Sequence, residues 1–508
     1  MLKKIIASSL FLSANLLAQD VFITVDQFGY RPGDSKVAVL RDPVVGYDSL
    51  LSYTPSSVIN LIDSATGEVV FSGAPVAFNG GAIDSVSGDK IWWFDFSSVT
   101  TPGTYYVQDA SEASKKSFNF HIREDVYNDI LKAAVRVLYY QRVGIAKEAI
   151  YAGSEWADGM NHAQDTKARY FLDSTNASLE RDVSGGWFDA GDYNKYTDWN
   201  GNYVETLLMA FLERPKAFTD DYGIPESGNG IPDIIDEARN EVDFFLSIRD
   251  GEGYSQGVTN PSSEWSIMFQ AGTTTMAAWA NAANCAVLAA AFQIHGDEEL
   301  CKYYTDEAIT AFNYASKQEN SQLDDLQDIG SASMRGRDFR QLAAAYLYNV
   351  TGDTKWEDIM AEESVVKDGK TPIFSKSRNR YYQIWATAAY LACPQERHYP
   401  ELYNNMKASV DYQANENNVN FMSTRPSRRT ANDSRWQVSE NLQMVMMAHY
   451  IADNAARKAE LEKAMYMEAG WGLGRNPSNT VEMTGLGERH IVDCYTTGRN
   501  DGTPGSHP

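Results

Sequence analysis

The sequence predicts a multidomain chain in which a small all-β sandwich precedes a large all-α domain. Short runs rich in β-branched and aromatic residues, separated by turn residues, fill the stretch from about 20 to 122, as is typical of a sandwich. From Glu124 onward, apolar residues recur at helical spacing in many segments of similar length. A length of 508 residues also favours two or more domains.

The β-like runs are punctuated by turn pairs such as Pro32-Gly33 and Pro102-Gly103. The predicted strands are 22–25, 36–40, 58–61, 91–96, 104–107 and 117–122. The predicted helices are 125–143, 200–213, 233–249, 273–294, 298–317, 337–351, 354–363, 379–393, 399–414, 437–454 and 457–473. Helices of similar length fit a closed double ring, although periodicity alone also allows another large α-helical domain.

Charge and cysteine content narrow the function classes. The chain has 44 basic and 68 acidic residues and a net charge of −24, which argues against nucleic acid as a partner and suits a neutral polymer. The 4 cysteines form no close pair, which argues against a zinc knuckle. Buried free thiols are favoured over a disulfide, whose pairing the sequence does not reveal.

The amino terminus predicts export. A basic start is followed by an apolar run from Ile5 to Leu17, so residues 1–18 are predicted to be a signal peptide. A membrane anchor is disfavoured because the run is too short to span comfortably. No later stretch is expected to be long and apolar enough to cross a bilayer, so no membrane span is predicted. The protein is therefore expected to be secreted and extracellular, with retention at the cell surface left open.

The stretch 184–196 carries the strongest candidate chemistry. Asp189 and Asp192 stand three residues apart, and in a helical turn this spacing places both carboxylates on one side, where they could address one water molecule. A carboxylate that takes a proton from that water makes it a nucleophile. The aromatic neighbours Trp187 and Tyr193 suit the apolar faces of a sugar ring. Helix capping and ordinary turn chemistry are the alternative account of the two aspartates.

The run from Gly185 to Tyr193 resembles the signature of family 9 glycoside hydrolases, which are mostly cellulases. The resemblance implies that Asp192 is the general base and that Asp189 helps to hold the attacking water. It also implies an (α/α)6 barrel and hydrolysis with inversion of configuration. Trp187 and Tyr193 are expected to contact substrate.

Two further runs, Asp26–Pro32 and Thr101–Tyr106, resemble the immunoglobulin-like module that precedes the catalytic domain in one branch of this family. The predicted domains are therefore a signal peptide over 1–18, an immunoglobulin-like β-sandwich over 19–122 and the barrel over 123–508. A packing and stabilising role for the sandwich is favoured over independent sugar binding.

Some acidic residues are expected to be structural. The segment 224–239 also resembles the family, and its Asp236 and Glu237 lie in the first turn of a helix, where the helix dipole favours acids. Glu241 follows an asparagine, as the general acid of the family does, but lies in the wrong part of the chain. Asp338 alone is a poor calcium site, because calcium takes six to eight oxygens. The chemistry needs no cofactor, and a structural calcium is left open without assigned ligands.

The segments 472–477 and 483–487 give a third match, to a loop that leads into a histidine-rich sugar-binding segment in the family. His490 and His507 are the candidates, and His507 is preferred as the residue that hydrogen-bonds the sugar next to the scissile bond. A surface histidine is the alternative. The family's general acid is a glutamate beyond this segment, so we expect that the sequence, which stops at Pro508, lacks it and is truncated. Substitution by Glu488 is disfavoured.

The sequence thus predicts a secreted endo-β-1,4-glucanase, or cellulase, that hydrolyses β-1,4-glucosidic bonds in cellulose, cello-oligosaccharides and related β-glucans. An exo-acting enzyme, or one specific for mixed-linkage glucan, xyloglucan or glucosamine oligomers, is the first alternative. A non-catalytic glucan-binding protein is the second, favoured if the chain truly ends at residue 508.

Overall fold

The computed structural model of the chain describes residues 22–46, 48–85, 87–189, 193–259, 267–327, 334–375, 380–415 and 440–491. Two compact units emerge: Met1–Leu131 with Ala414–Asp493, and Lys132–Gln413 with Cys494–Pro508, each through its described residues. The predicted signal peptide, 1–18, lies outside those residues, and the predicted domain boundary at residue 122 stays a prediction.

The first unit contains two sheets. Its strands are β1 (Ile23–Thr24), β2 (Gly29–Tyr30), β3 (Val37–Pro43), β4 (Ile59–Asp63), β5 (Val69–Gly73), β6 (Val76–Ala77), β7 (Asp89–Asp95), β8 (Gly103–Asp109) and β9 (Phe120–Ile122). One sheet has the order β1-β3-β7-β6 and the other β2-β9-β8-β4-β5. Neighbouring strands are antiparallel except β2 and β9, which are parallel.

The sandwich core forms where inward-facing residues of both sheets meet, because successive side chains of a strand point to opposite faces. In β7, Trp92 and Phe94 face this core, and Phe94 lies opposite Ala38 of β3. Tyr30 packs edge-on against both Phe96 and Phe120, with ring centroids 5.4 Å apart in each case. Burial of such aromatic side chains is the main favourable term in holding the two sheets together.

Every predicted strand overlaps an observed strand, but β2, β5 and β6 were not predicted. β5 pairs only with β4 at the edge of its sheet. Its Val69 and Val70 are both exposed, so this strand lacks the alternation of buried and exposed residues on which strand prediction relies. β2 and β6 have two residues each, too few for any pattern.

The α-helices are α1 (Asn128–Gln141), α2 (Ala149–Ala152), α3 (Thr197–Glu213), α4 (Asp233–Ser247), α5 (Thr275–His295), α6 (Glu298–Ser316), α7 (Gly336–Thr351), α8 (Thr354–Glu363), α9 (Ile384–Ala392), α10 (Pro400–Ala414), α11 (Glu440–Ile451) and α12 (Ala455–Gly472). The short strands among them are β10 (Arg169–Tyr170), β11 (Lys195–Tyr196), β12 (Gly257–Thr259), β13 (Phe269–Gln270), β14 (Phe374–Ser375) and β15 (Tyr381–Tyr382).

Helices alternate in role within the second unit. α3, α5, α7 and α9 pack side by side, whereas α4, α6 and α8 each pack against the helix that precedes them. α5 is buried on all sides from Thr275 to Phe292, as expected of a helix inside the unit. It begins where the Thr274 hydroxyl accepts a hydrogen bond from the Ala277 amide at 3.0 Å, and it ends at Gly296, whose φ is 95°.

Within the described residues, α5 is long and apolar enough to cross a membrane. The expectation that no stretch after the amino terminus would meet this criterion is therefore wrong for α5. Its apolar window is completely buried inside the unit, which is the environment of a core helix.

Each predicted helix overlaps an observed helix, and α2 alone among the described α-helices was not predicted. The largest difference concerns 379–393, because α9 begins only at Ile384. Tyr381 and Tyr382 instead form β15, which pairs with β14. The Tyr382 amide also donates a hydrogen bond to Asp338 at 3.1 Å, so tertiary contacts hold this segment extended against its helical pattern.

In the first unit, the sandwich contacts the carboxyl-terminal segment through Gln27. This side chain is 5% exposed. It donates to the Asn479 carbonyl at 2.9 Å and accepts hydrogen bonds from the amides of Glu488 and Arg489 at 2.9 and 3.1 Å. Its own amide donates to the Leu473 carbonyl at 2.9 Å. A single sandwich residue therefore satisfies backbone groups at several points of the loop 473–491.

Candidate active site

The stretch 184–189 leaves the interior of the second unit through a glycine turn. Gly185 and Gly186 have φ angles of 98° and 70°, which favour glycine. A Cβ atom on Gly186 would lie 2.4 Å from Cδ1 of Phe244, so the backbone approaches this ring more closely than any side chain would allow. The Gly186 carbonyl accepts a hydrogen bond from the Val143 amide at 2.9 Å, which ties the turn to the end of α1.

Trp187 lies in the interior, which corrects its predicted role as a substrate contact. Its side chain is 1% exposed, and its indole N–H donates to Oε1 of Glu237 at 2.8 Å. Its backbone amide donates to Oε2 of Glu241 at 2.6 Å. A buried ring whose only polar atom is already bonded offers no face to a sugar in this structure, so Trp187 fixes the loop by packing.

Glu241 and Asn200 together hold the Trp187 peptide group. The Asn200 side-chain amide donates to the Trp187 carbonyl and to Oε1 of Glu241, both at 2.9 Å. Burial raises the pKa of Glu241 to about 8, while these hydrogen bonds and the charge of Lys195 oppose the rise. The expectation that Glu241 is a structural acid within a helix agrees with its place on α4.

Arg142 and Glu237 form a buried ion pair beside Trp187. The guanidinium donates to both carboxylate oxygens of Glu237, at 3.0 and 2.9 Å, and also to Glu226. Paired donors and acceptors of this kind fix orientation as well as charge. Glu237 is thus a structural acid, as its position in the first turns of α4 predicted.

Asp189 lies at the partly exposed end of the stretch. Its amide donates to the Asn194 carbonyl at 2.9 Å, which brings the two ends of 189–194 together. Partial burial raises the pKa of Tyr203 on α3, and the charge of Asp189 adds to this rise, so Asp189 lies within electrostatic reach of the phenol. Asp192 and His507, the predicted base and sugar-binding histidine, lie outside the described residues, and their roles stay predictions.

Tyr193 is partly exposed and has a φ of 65°, which is uncommon for a residue with a side chain. Its ring centroid lies 4.2 Å from that of His162 and 5.2 Å from that of Phe188. His162 also packs edge-on against Phe188 at 4.5 Å. His162 is therefore a loop-packing residue, and the aromatic cluster fixes Tyr193, which remains partly exposed.

A polar cavity of about 430 Å³ lies at the N-terminal ends of α3 and α5. It is lined by Asp198, Gln256, Thr274, Met276, Gln322, Asp325, Leu326 and Gln327. The Gln256 side chain donates to Asp198 at 2.8 Å and accepts from Thr274 at 2.6 Å. Amide, hydroxyl and carboxylate groups that converge on a cavity of this size suit a neutral ligand rich in hydroxyl groups.

The described residues contain no group of three or more histidine, cysteine or acidic side chains that could hold a metal ion. The carboxylate of Asp338 accepts hydrogen bonds from the Arg335 side chain and backbone and from the Tyr382 amide.

Cys285, Cys301 and Cys393 are free thiols, and Cys494 lies outside the described part of the chain. Nδ1 of His490 accepts from the Gly485 amide at 3.1 Å within the first unit.

Comparison with known proteins identifies the family. Residues 127–503 match the profile described as glycosyl hydrolase family 9. The chain belongs to glycosyl hydrolase family 9. Residues 18–114 match the cellulase N-terminal immunoglobulin-like domain, so the module that precedes the family 9 domain is identified as well.

Curated relatives match over part of their length. The chain is 34% identical over 195 residues to endoglucanase D of Acetivibrio thermocellus, covering 37% of this chain and 29% of the relative. It is 30% identical over 267 residues to a xyloglucan-specific endo-β-1,4-glucanase of Bacteroides ovatus, and the match covers 50% of this chain and 40% of the relative. The chain therefore spans well under half the length of these relatives.

Among solved structures, a metagenome-derived family 9 endoglucanase matches with a TM-score of 0.74 and 25% identity, covering 92% of this chain and 86% of that one. The two family matches and this structural likeness confirm the predicted fold class, an immunoglobulin-like sandwich followed by an (α/α)6 barrel. The alternation of helices seen within the second unit agrees with that barrel.

Sequence reasoning missed the residues that hold the candidate loop in place. Lys195, Asn200 and Asp165 were not assigned any role. Lys195 gave one signal in the sequence, its position after several aromatic residues. A lysine that is buried among such residues needs fixed partners for its charge. Asp165 and Asn200 gave no such signal, since their partners lie 30 and 41 residues away in the chain.

Proposed function

We propose that this family 9 protein is an endo-acting β-1,4-glucanase whose active site is built on the stretch 184–196. Membership of a glycoside hydrolase family supplies the reaction class. The observation that carries the assignment is the loop itself: a buried network fixes 183–188, and Asp189 follows directly at the partly exposed end. Acidic groups on a fixed, accessible loop can act on a bound substrate with little reorganisation.

In this proposal Asp192 is the general base. It accepts a proton from water as the water oxygen attacks the anomeric carbon, and Asp189 accepts a hydrogen bond from the second water hydrogen. The bond between the anomeric carbon and the glycosidic oxygen breaks as water attacks from the opposite face, which inverts the configuration, and the departing oxygen takes up one proton from a general acid. This part of the chemistry needs no metal or cofactor, since two carboxylates can activate water. No residue of 184–196 is assigned as the general acid.

A β-glucan is the proposed substrate because the accessible surface near the candidate loop offers polar groups and an aromatic ring. Tyr193 supplies a partly exposed ring beside Asp189, and His507 is proposed to hydrogen-bond the sugar next to the scissile bond. The cavity that contains Gln256 and Thr274 offers groups of the kind that pair with sugar hydroxyls. Two relatives are named as endoglucanases or endo-β-1,4-glucanases, which supports internal cleavage.

The test compares carboxymethylcellulose, mixed-linkage glucan, xyloglucan and cellohexaose as substrates. An endo-acting enzyme lowers the viscosity of a soluble polymer early, when few reducing ends have formed. An exo-acting enzyme releases short products while viscosity stays high. The substrate with the highest kcat/KM decides between cellulose-type glucan and xyloglucan.

Binding to these glucans without release of sugar from any of them would contradict the proposed function and would support the alternative of a glucan-binding protein.

We further propose that the protein is exported, on the basis of the basic and apolar run in 1–18. Detection of the protein only inside cells of its host would contradict the proposed export.

A further inference from the structure

Lys195 is a completely buried cation with three fixed partners. Its side chain has no exposed surface, and the same holds for the side chain of Asp165. The ammonium donates to Oδ2 of Asp165 at 2.8 Å, to the Val183 carbonyl at 2.7 Å and to the Gly185 carbonyl at 2.9 Å. An ammonium group has three donors, so the whole hydrogen-bonding capacity of Lys195 is used.

These partners lie on both sides of the candidate aspartates. Val183 and Gly185 precede Asp189, whereas Lys195 follows Asp192. The Lys195 backbone is fixed independently, because β11 pairs with β12 with Lys195 opposite Val258. The ammonium therefore fastens the start of the loop to a strand at its end, in addition to the backbone hydrogen bond that Asp189 donates to Asn194.

The ring of Phe244 restricts the same region from another side. The Lys195 ammonium lies 4.4 Å from the Phe244 ring centroid, a distance at which the ring face attracts a cation. Gly186 packs so closely on this ring that a Cβ atom would overlap it. Rotation of the lysine side chain would thus require the glycine turn to move.

Stability alone does not require an ion pair in this position. Well-packed apolar side chains of similar volume are often as stable as a buried ion pair, since removing two charges from water is costly. An apolar pair would not, however, attract the carbonyl groups of Val183 and Gly185. The hydrogen bonds to these two carbonyls are what the lysine adds.

We propose that Lys195, held by Asp165, is a positioning residue that fixes 183–185 and thereby sets the place of Asp189 for catalysis. This inference rests on the proposed function of that loop. Lys195 acts through the backbone of 183–185 and does not itself contact substrate. Loss of Lys195 is expected to lower kcat more than it raises KM. A misplaced carboxylate stabilises the transition state less, whereas the sugar contacts remote from the reacting bond, which determine substrate binding, stay in place.

The test separates positioning from stability by using a double variant. Lys195→Met alone removes the ion-pair partner of the buried Asp165 carboxylate, so this variant is expected to be strongly destabilised for electrostatic reasons. Lys195→Met combined with Asp165→Leu removes both charges and keeps similar volumes. We expect the double variant to stay folded at the assay temperature, with a melting temperature lowered only by the loss of the hydrogen bonds to the Val183 and Gly185 carbonyls, while its kcat falls roughly 100-fold, the scale of a misplacement by about 1 Å.

Amide hydrogen exchange provides a second readout that does not depend on catalysis. In the double variant the Asp189 amide is expected to exchange at least roughly tenfold faster than in the wild type, while amides of α5 keep their rates. Unchanged exchange at Asp189, or wild-type kcat in the folded double variant, would overturn the positioning role. A wild-type protein that hydrolyses no β-glucan would instead overturn the proposed function, and the exchange rates would still decide the role of Lys195.

Discussion

Replacing Gln27 by methionine should destabilise the contact between the sandwich and the loop 473–491. Methionine keeps the length of the side chain but cannot pair with the Asn479 carbonyl or with the amides of Glu488 and Arg489. A buried group left without a partner costs about 1–3 kcal/mol. Glu488 is exposed, so water can replace part of what is lost. We therefore expect a loss of roughly 2–4 kcal/mol in the free energy of loop opening.

Hydrogen exchange of the Glu488 and Arg489 amides measures this loss directly, because it reports opening of the loop without unfolding of the second unit. A loss of 2 kcal/mol corresponds to exchange about 30-fold faster, since each 1.4 kcal/mol is a factor of ten. Gln293→Met is the matched control, because Gln293 is exposed and makes one hydrogen bond of 3.2 Å. Equal exchange at these amides in the two variants would refute the account of Gln27.

Two further predictions concern the second unit. Burial raises the pKa of Glu205 to about 8, above the ordinary value of 4.5. The contribution of the protonated side chain to the free energy of unfolding is therefore fully present below pH 4.5 and is lost as pH rises through 8. Glu205→Gln, which still accepts from Tyr346, should therefore flatten the fall in the free energy of unfolding between pH 5 and pH 9; equal slopes in denaturant titrations would contradict this. Gly186→Ala should lower the melting temperature more than Gly185→Ala, because both positions have positive φ but only at Gly186 does the new Cβ overlap Phe244. Equal melting temperatures of the two alanine variants would show that the overlap is relieved at no cost.

The helical domain was predictable because its helices carry strong local signals. α5 shows this well, since Thr274 and Gly296 mark its ends and its apolar residues fill the space between. The edge strand β5 was not predictable, because its valines are exposed and its pairing partner β4 is known only after folding. The predicted start of α9 was wrong for a similar reason, because Tyr381 and Tyr382 fit a helical pattern locally but form a strand that pairs with β14.

The sequence motif indicated the candidate loop, but the sequence did not indicate the long-range contacts that hold this loop in place. The spacing of Asp189 and Asp192 and the neighbouring aromatic residues pointed to the loop. The same pattern misplaced Trp187, because a tryptophan beside an acid suggests a sugar platform just as well as a packing residue. Its burial depends on Glu237 and Glu241, which approach from a helix about 50 residues later in the chain. Local sequence does not contain that contact.

The turnover of an Asp192→Asn variant tests the central claim most directly. Asparagine keeps the size of the side chain but cannot accept the proton from water, so we expect kcat on cellohexaose to fall by roughly 10²–10⁴-fold. Asp173→Asn, which changes an exposed aspartate of the same unit, is the control and should retain wild-type turnover. Both variants should match the wild type in melting temperature. Hydrolysis by a folded Asp192→Asn protein at the wild-type rate would contradict the assignment of Asp192 as the base and of the loop as the active site.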